Sequence, residues 1–147
     1  MAIVRAPLQG RVLALDDVAD DVFAQRMMGE GLALVPGSTR ASAPIDGVVA
    51  KLFRGGHAFV VQSDDGLEVL VHLGLETVHR AGEGFETHVA EGDRVAAGEP
   101  VVSMDLDALR ADGIDMTTPV IVISGHTITW QADETIEEGD ALLTVDL

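Results

Sequence analysis

Residues 55–78 read GGHAFVVQSDDGLEVLVHLGLETV, and this stretch decides the fold class. At its centre Ser63-Asp64-Asp65-Gly66 is a turn signal, with glycine available for the left-handed position that closes a type I turn with a bulge. The flanks, Ala58 to Val61 and Leu67 to Val71, have the length and composition of strands. With Asp64 and Asp65 central, the numbers of antiparallel partners sum to about 129, so His57 falls opposite His72 to within a residue. Opposed residues share a face with Cβ atoms roughly 4.5–5.5 Å apart, which lets two imidazoles converge on one small group. Small residues, Ala58 and Gly74, lie close to each.

The same pattern continues away from the hairpin. Val48-Val49-Ala50 and Val120 to Ile123 are further short apolar runs bounded by glycine, proline and aspartate, which predicts an all-β domain occupying residues 1–147. Helical periodicity is limited to Val22–Met28, about two turns, and Leu106–Ala111. Glu91-Gly92-Asp93-Arg94-Val95 and Glu138-Gly139-Asp140-Ala141-Leu142 each read as a turn feeding a buried strand. With Ala43-Pro44-Ile45-Asp46-Gly47-Val48-Val49 they resemble the hairpins of barrel-sandwich hybrid folds, a group that includes lipoyl and biotinyl carriers. Those carriers need a lysine at a hairpin tip. The only lysine here, Lys51, follows a strand-like run, so a swinging-arm function fails on inventory.

Composition narrows the chemistry. The chain has no cysteine, which excludes disulfides, thiolate metal sites and cysteine nucleophiles and leaves histidines and carboxylates. A formal charge of −16 opposes nucleic acid and suits partners with a basic face. No apolar run approaches the ~20 residues that cross a bilayer, and the opening Met1-Ala2-Ile3-Val4-Arg5 lacks the features of a secretory signal. A cytoplasmic protein without membrane insertion is expected.

One histidine among apolar residues is ordinarily structural; the pairing across a hairpin singles out His57 and His72. His79, His88 and His126 have no such constellation and read as surface or structural residues. A zinc hydrolase with His57, His72 and a carboxylate such as Glu76 is the rival from another class. Catalytic zinc usually takes three protein ligands, whereas facing strands supply two, so His57 and His72 hold zinc adventitiously at most.

Several segments in order then carry a resemblance: Ala6-Pro7-Leu8, Asp21-Val22-Phe23-Ala24 with Met28-Gly29-Glu30-Gly31, Ala43 to Gly47, His57-Ala58-Phe59, Val71-His72-Leu73-Gly74, Gly82-Glu83-Gly84-Phe85 and Thr118-Pro119-Val120. Together they resemble the glucose-type enzyme IIA of the bacterial sugar phosphotransferase system, over almost the whole chain. The block Leu70 to Val78 is the specific one, similar to that family's phosphorylation motif. The resemblance implies an antiparallel β-sandwich with two histidines in a shallow apolar depression. His72 would accept a phosphoryl group on Nε2 from the histidine phosphocarrier protein HPr and donate it to the cysteine of a permease IIB domain, of the glucose or N-acetylglucosamine class. His57 would stabilise the phosphoryl oxygens, and no cofactor is called for. Relatives that inhibit other transporters or kinases leave regulatory targets open, and a purely regulatory module that has lost transfer is a third reading.

The resemblance also implies an apolar ring for partners at Val22, Phe23, Met28, Phe53 and Leu70, with Glu30 and Glu76 on an acidic rim. Phe23 and Phe53 are expected to be exposed, and Leu70 reads equally well as core. Three departures stand out. Gly55-Gly56 replaces a pair in which many relatives have a threonine, Glu76 stands where aspartate is common, and, with Ala6-Pro7-Leu8 only a few residues from the start, the long N-terminal tail that lets some relatives touch membranes is not expected.

Overall fold

The computed structural model describes residues 1–80 and 82–147, with the side chains of Val78 and His79 outside the described residues. In chain order the strands are β1 (Ala2–Arg5), β2 (Gly10–Ala14), β3 (Glu30–Pro36), β4 (Arg40–Ser42), β5 (Gly47–Leu52), β6 (Ala58–Gln62) and β7 (Glu68–His72). There follow β8 (Phe85–Thr87), β9 (Arg94–Val95), β10 (Pro100–Met104), β11 (Thr118–Val122), β12 (Ile128–Gln131), β13 (Thr135–Ile136) and β14 (Ala141–Val145). Helices are short: α1 (Asp21–Ala24), α2 (Leu106–Ala111) and 3-10 turns at Leu15–Asp17 and Thr77–Arg80. Among the described residues every ladder is antiparallel, as the resemblance implies.

One sheet of eight strands runs β13-β2-β3-β11-β7-β6-β5-β9, and two sheets of three, β1-β14-β12 and β4-β10-β8, accompany it. Its central strands are apolar at nearly every position because both faces are covered. Phe59, Val61, Val69, Val71, Val120 and Val122 belong to the main core, which also takes Val4, Val101, Leu142 and Leu143 from the smaller sheets. The intervening Ala58, Val60, Leu70 and Ile121 form a second cluster with Leu15, Val18 and Phe23. Residues 15–28 thus act as a flap over one face of the sheet.

One expectation holds within its bound and another needs correction. The hairpin register is Ala58↔His72, one residue from His57 opposite His72, as the predicted sum of about 129 allows. The left-handed Gly66 (φ +87°) is a third loop residue inside the Ser63–Leu67 closing bond, which moves the turn's centre onto Asp65. The helix expected over Val22–Met28 is a single turn, Asp21–Ala24, because Arg26 (φ +58°) and Gly29 (φ +140°) reverse the chain into β3. The second helix, Leu106–Ala111, is as the sequence predicts, N-capped by Asp105.

Candidate functional site

Both histidines lie where strand pairing stops. The β7–β11 ladder ends at Val120↔Val71, beside Pro119, which has no N–H to extend it, so His72 closes β7 without a β11 partner. His57 immediately precedes β6, and its carbonyl accepts the Leu73 N–H at 2.7 Å. Strict alternation at this register would put the two side chains on opposite faces. His57 escapes that rule because residues 53–57 bend: Phe53 N–H donates to the Ala58 carbonyl and Gly56 N–H to the Phe53 carbonyl. The two imidazole rings therefore meet, 5.4 Å apart between centroids and nearly perpendicular at 73°. Ala58, paired with His72, has too small a side chain to fill the space between them.

One bond decides which nitrogen of His72 is free. Its Nδ1 lies 2.7 Å from the Gly74 carbonyl oxygen. Only an N–H can donate there, so in the neutral ring Nδ1 carries the proton and Nε2 presents its lone pair. That carbonyl is itself held. Gly74 has φ +80°, and a Cβ at this position would lie 2.7 Å from a Thr77 methyl and 2.9 Å from the Met116 sulfur. Leu75 N–H donates to the Asp115 carbonyl and the Thr77 hydroxyl to the Leu73 carbonyl.

Aromatic rings pack on each imidazole: Phe23 on His72 at 5.3 Å, and Phe53 edge-on to His57 at 5.7 Å. This apolar setting lowers the pKa of both histidines from 6.5, chiefly through burial. For His57 the charge of His72 lowers it further, against an opposing pull from the Arg54 backbone. For His72 the Gly74 carbonyl and the charge of Asp20 oppose the shift. Both rings are thus neutral near pH 7, the nucleophilic form.

The remaining predicted residues divide. Val22 and Met28 are each 41% exposed and lie on the flap. Phe53 is partly buried against the second cluster. Phe23, expected to be exposed, is only 6% so, since successive helical residues point about 100° apart and Val22 takes the outward side. Leu70, at 1%, is core beneath the site. Glu76 is exposed, with the left-handed φ of +59°. Glu30 is exposed but bound by Arg26 at 2.9 Å. No group of three or more histidine, cysteine, aspartate or glutamate side chains gathers as a metal site among the described residues, so Glu76 does not complete the zinc alternative. His88 pairs with the Ser103 hydroxyl and His126 with that of Ser124, both structural contacts, while the side chain of His79 lies outside the described residues.

Residues that sequence reasoning missed include Asp20, the N-cap of α1, whose carboxylate accepts from Val22 N–H and whose charge reaches His72. An aspartate ahead of an apolar helical run was its signal. The Gly74 carbonyl was legible only as a small residue near the histidine. At Gly55 and Gly56 both φ values are positive, +93° and +87°, so the bend before His57 is a glycine bend.

Comparison with known proteins identifies the family and the fold. The model of the family described as phosphoenolpyruvate-dependent sugar phosphotransferase system, EIIA 1, matches residues 2–128. The chain is 44% identical over 117 residues to the glucose-specific EIIA component of Bacillus cereus, covering 80% of this chain and 71% of that one. It is 48% identical over 119 residues to the glucose-specific EIICBA component of Streptococcus pneumoniae, covering 81% of this chain but 16% of that one. With the beta-glucoside-specific EIIBCA component of Bacillus subtilis it shares 44% identity over 120 residues, 82% of this chain and 20% of the relative. The chain thus spans a fifth or less of these longer relatives. The solved structure of glucose permease IIA from Mycoplasma capricolum superposes with a TM-score of 0.93 at 34% identity, over 97% of this chain and 94% of the other.

Proposed function

The chain belongs to the EIIA 1 family of the phosphoenolpyruvate-dependent sugar phosphotransferase system, and from that premise we propose that it is a phosphohistidine carrier with His72 as the acceptor. In this reading Nε2 of His72 attacks the phosphorus of phospho-HPr, forming one P–N bond as the donor's P–N bond breaks. The second half-reaction breaks the new bond as a P–S bond forms at the cysteine of a permease IIB domain. The observation that carries the proposal is the bond from His72 Nδ1 to the Gly74 carbonyl beside the His57 ring. It aims the free nitrogen outward, and it favours the positive charge that the ring gains once Nε2 is bonded to phosphorus. The His57 ring lies close enough to donate toward phosphoryl oxygens, where positioning and charge stabilisation supply most of the catalysis.

Partners follow from the surface. HPr and the IIB domain would dock on the exposed Val22 and Met28 beside Phe53, with Glu76 and Asp20 facing a partner's basic rim. Relatives sharing this domain are named for glucose, glucosides and beta-glucosides, so the sugar class belongs to the permease rather than to this chain. Among the described residues no helix is long and apolar enough to cross a membrane.

The test is labelling with phosphoenolpyruvate, enzyme I and HPr. The expected product is an acid-labile, base-stable phosphoamino acid mapping to His72 and absent from His72→Ala. Wild-type labelling in that variant, or a label elsewhere, overturns the assignment.

A further inference from the structure

Arg26 holds a backbone conformation that its residue type adopts rarely. Its φ of +58° lies in the left-handed region, where a Cβ crowds the following carbonyl. The bend itself is required, because α1 ends at Ala24 and β3 begins at Glu30. Glycine would serve that backbone more easily, so the arginine side chain needs its own explanation. It reaches three pieces of chain. Nη1 donates to Asp16 Oδ1 at 2.6 Å, in the 3-10 turn, and to the Ala24 carbonyl at 3.2 Å, at the end of α1. Nε donates to Glu30 Oε2 at 2.9 Å, where β3 starts.

Those three pieces frame the flap. A helix of one turn has little stability of its own, so the placement of α1 depends on what ties it down. What α1 delivers is Phe23, whose ring packs on His72. We propose that Arg26 is a positioning residue, whose three-way clamp on Asp16, Ala24 and Glu30 keeps Phe23 against His72 and so holds the acceptor imidazole in place for transfer. The proposal rests on the reading of His72 as acceptor. Arg26 acts through Phe23, without touching the phosphoryl group, and it also engages Asp16 and Glu30, which would otherwise face a basic partner.

Two variants break the clamp from opposite ends while changing charge in opposite directions: Arg26→Ala removes a positive charge, and Asp16→Asn with Glu30→Gln removes two negative ones. Both are expected to lower the maximal rate of phosphorylation by HPr, roughly tenfold, since small misplacements of a reacting group carry penalties of this order. Both are also expected to move the His72 ring-proton NMR resonance, which the Phe23 ring current displaces in the wild type. Arg26→Gly, whose backbone suits the bend, should show the same losses and serves if Arg26→Ala does not fold; Arg26→Lys should recover part of the rate. Rates that shift in opposite directions in the two clamp variants would reduce Arg26 to a surface charge and overturn the proposal. So would a His72 resonance left unmoved in folded variants. Because the NMR reading needs no transfer, an unlabelled wild type would refute the carrier while leaving the clamp measurable, and a labelled wild type with unmoved resonances would refute the clamp alone.

Discussion

On β6 and β7, Phe59, Val61, Val69 and Val71 sit in the main core, while Ala58, Val60 and Leu70 lie under the flap and His72 extends their row. The first face is covered by strands from remote parts of the chain, including β1, β10 and β14. The second is covered chiefly by Leu15, Val18 and Phe23, from one local segment, with Leu75 beside them. A side chain removed from the first face leaves a hole that rigid sheets cannot close, whereas the flap has few long-range ties and can settle or admit water. On the proposed reading the same two strands divide their work, with stability on one face and chemistry on the other.

The sharpest way to break that division is a pair of substitutions one strand register apart. His72→Ala should abolish phosphorylation and leave the denaturation midpoint close to wild type. Phe59→Ala should cost about 3–5 kcal/mol in denaturant unfolding, the usual range for a buried phenylalanine, while the protein that remains folded still accepts phosphate. If His72→Ala unfolds the protein, the site face carries stability too and the division fails.

Next in size is His57. On the proposed reading a partner with a basic face would bring positive groups to the first half-reaction, whereas transfer to a cysteine would rely more on donors fixed in this site. In His57→Gln, acceptance from HPr should persist while transfer to the IIB domain falls by at least ~10²-fold, the scale for losing one oriented donor. Single-turnover assays of each half-reaction decide it. Equal loss in both would make His57 a general shaper of the site, and no loss in either would make it structural.

A smaller effect is expected on the flap's outer surface. Phe23 is too buried to be a fair probe of docking, so the test moves to Val22→Asp and Met28→Asp, at exposed positions. Each should weaken HPr binding by about 1–3 kcal/mol if it anchors the apolar centre of the interface. Titration calorimetry showing unchanged affinity in a folded variant would place HPr elsewhere.

The face that the sequence displayed best is the one held by local rules. A turn signal at Ser63–Gly66 with apolar flanks was enough to bring His57 and His72 within a residue of each other, and the strand runs were legible from apolar character alone. What escaped depended on contacts between distant segments. The register was legible only to within a residue because a motif cannot distinguish Gly66 joining the loop from Gly66 joining the strand. The exposure of Phe23 was misread because it depends on which side of a single helical turn meets Leu70, and on a chain reversal at Arg26 that no propensity favours. The orienting Gly74 carbonyl was invisible for a simpler reason: a backbone atom's partner is set by the loop's conformation, not by the residue's name.

The smallest effect tests whether the chemical face is as dry as its packing implies. Burial lowers the pKa of His57 and His72 in the folded protein, whereas in the unfolded chain both return to about 6.5. Below that value the unfolded state binds more protons than the folded one, so stability falls with falling pH. The contribution is fully present above pH 6.5 and is lost between there and the lower folded values. The double variant His57→Gln/His72→Gln removes it, while the acid response of the carboxylates is common to both proteins and cancels in the difference. Denaturant unfolding from about pH 8 to about pH 5 should give a constant difference above the histidine range and a growing one below it, with wild type losing more. The same depression predicts that phosphorylation by HPr declines only at a pH below the ordinary histidine midpoint, because neutral His72 persists further into acid. Parallel stability curves for the two proteins would mean that both imidazoles are as well hydrated in the folded state as in the unfolded one, and the flap would then not be a cover at all.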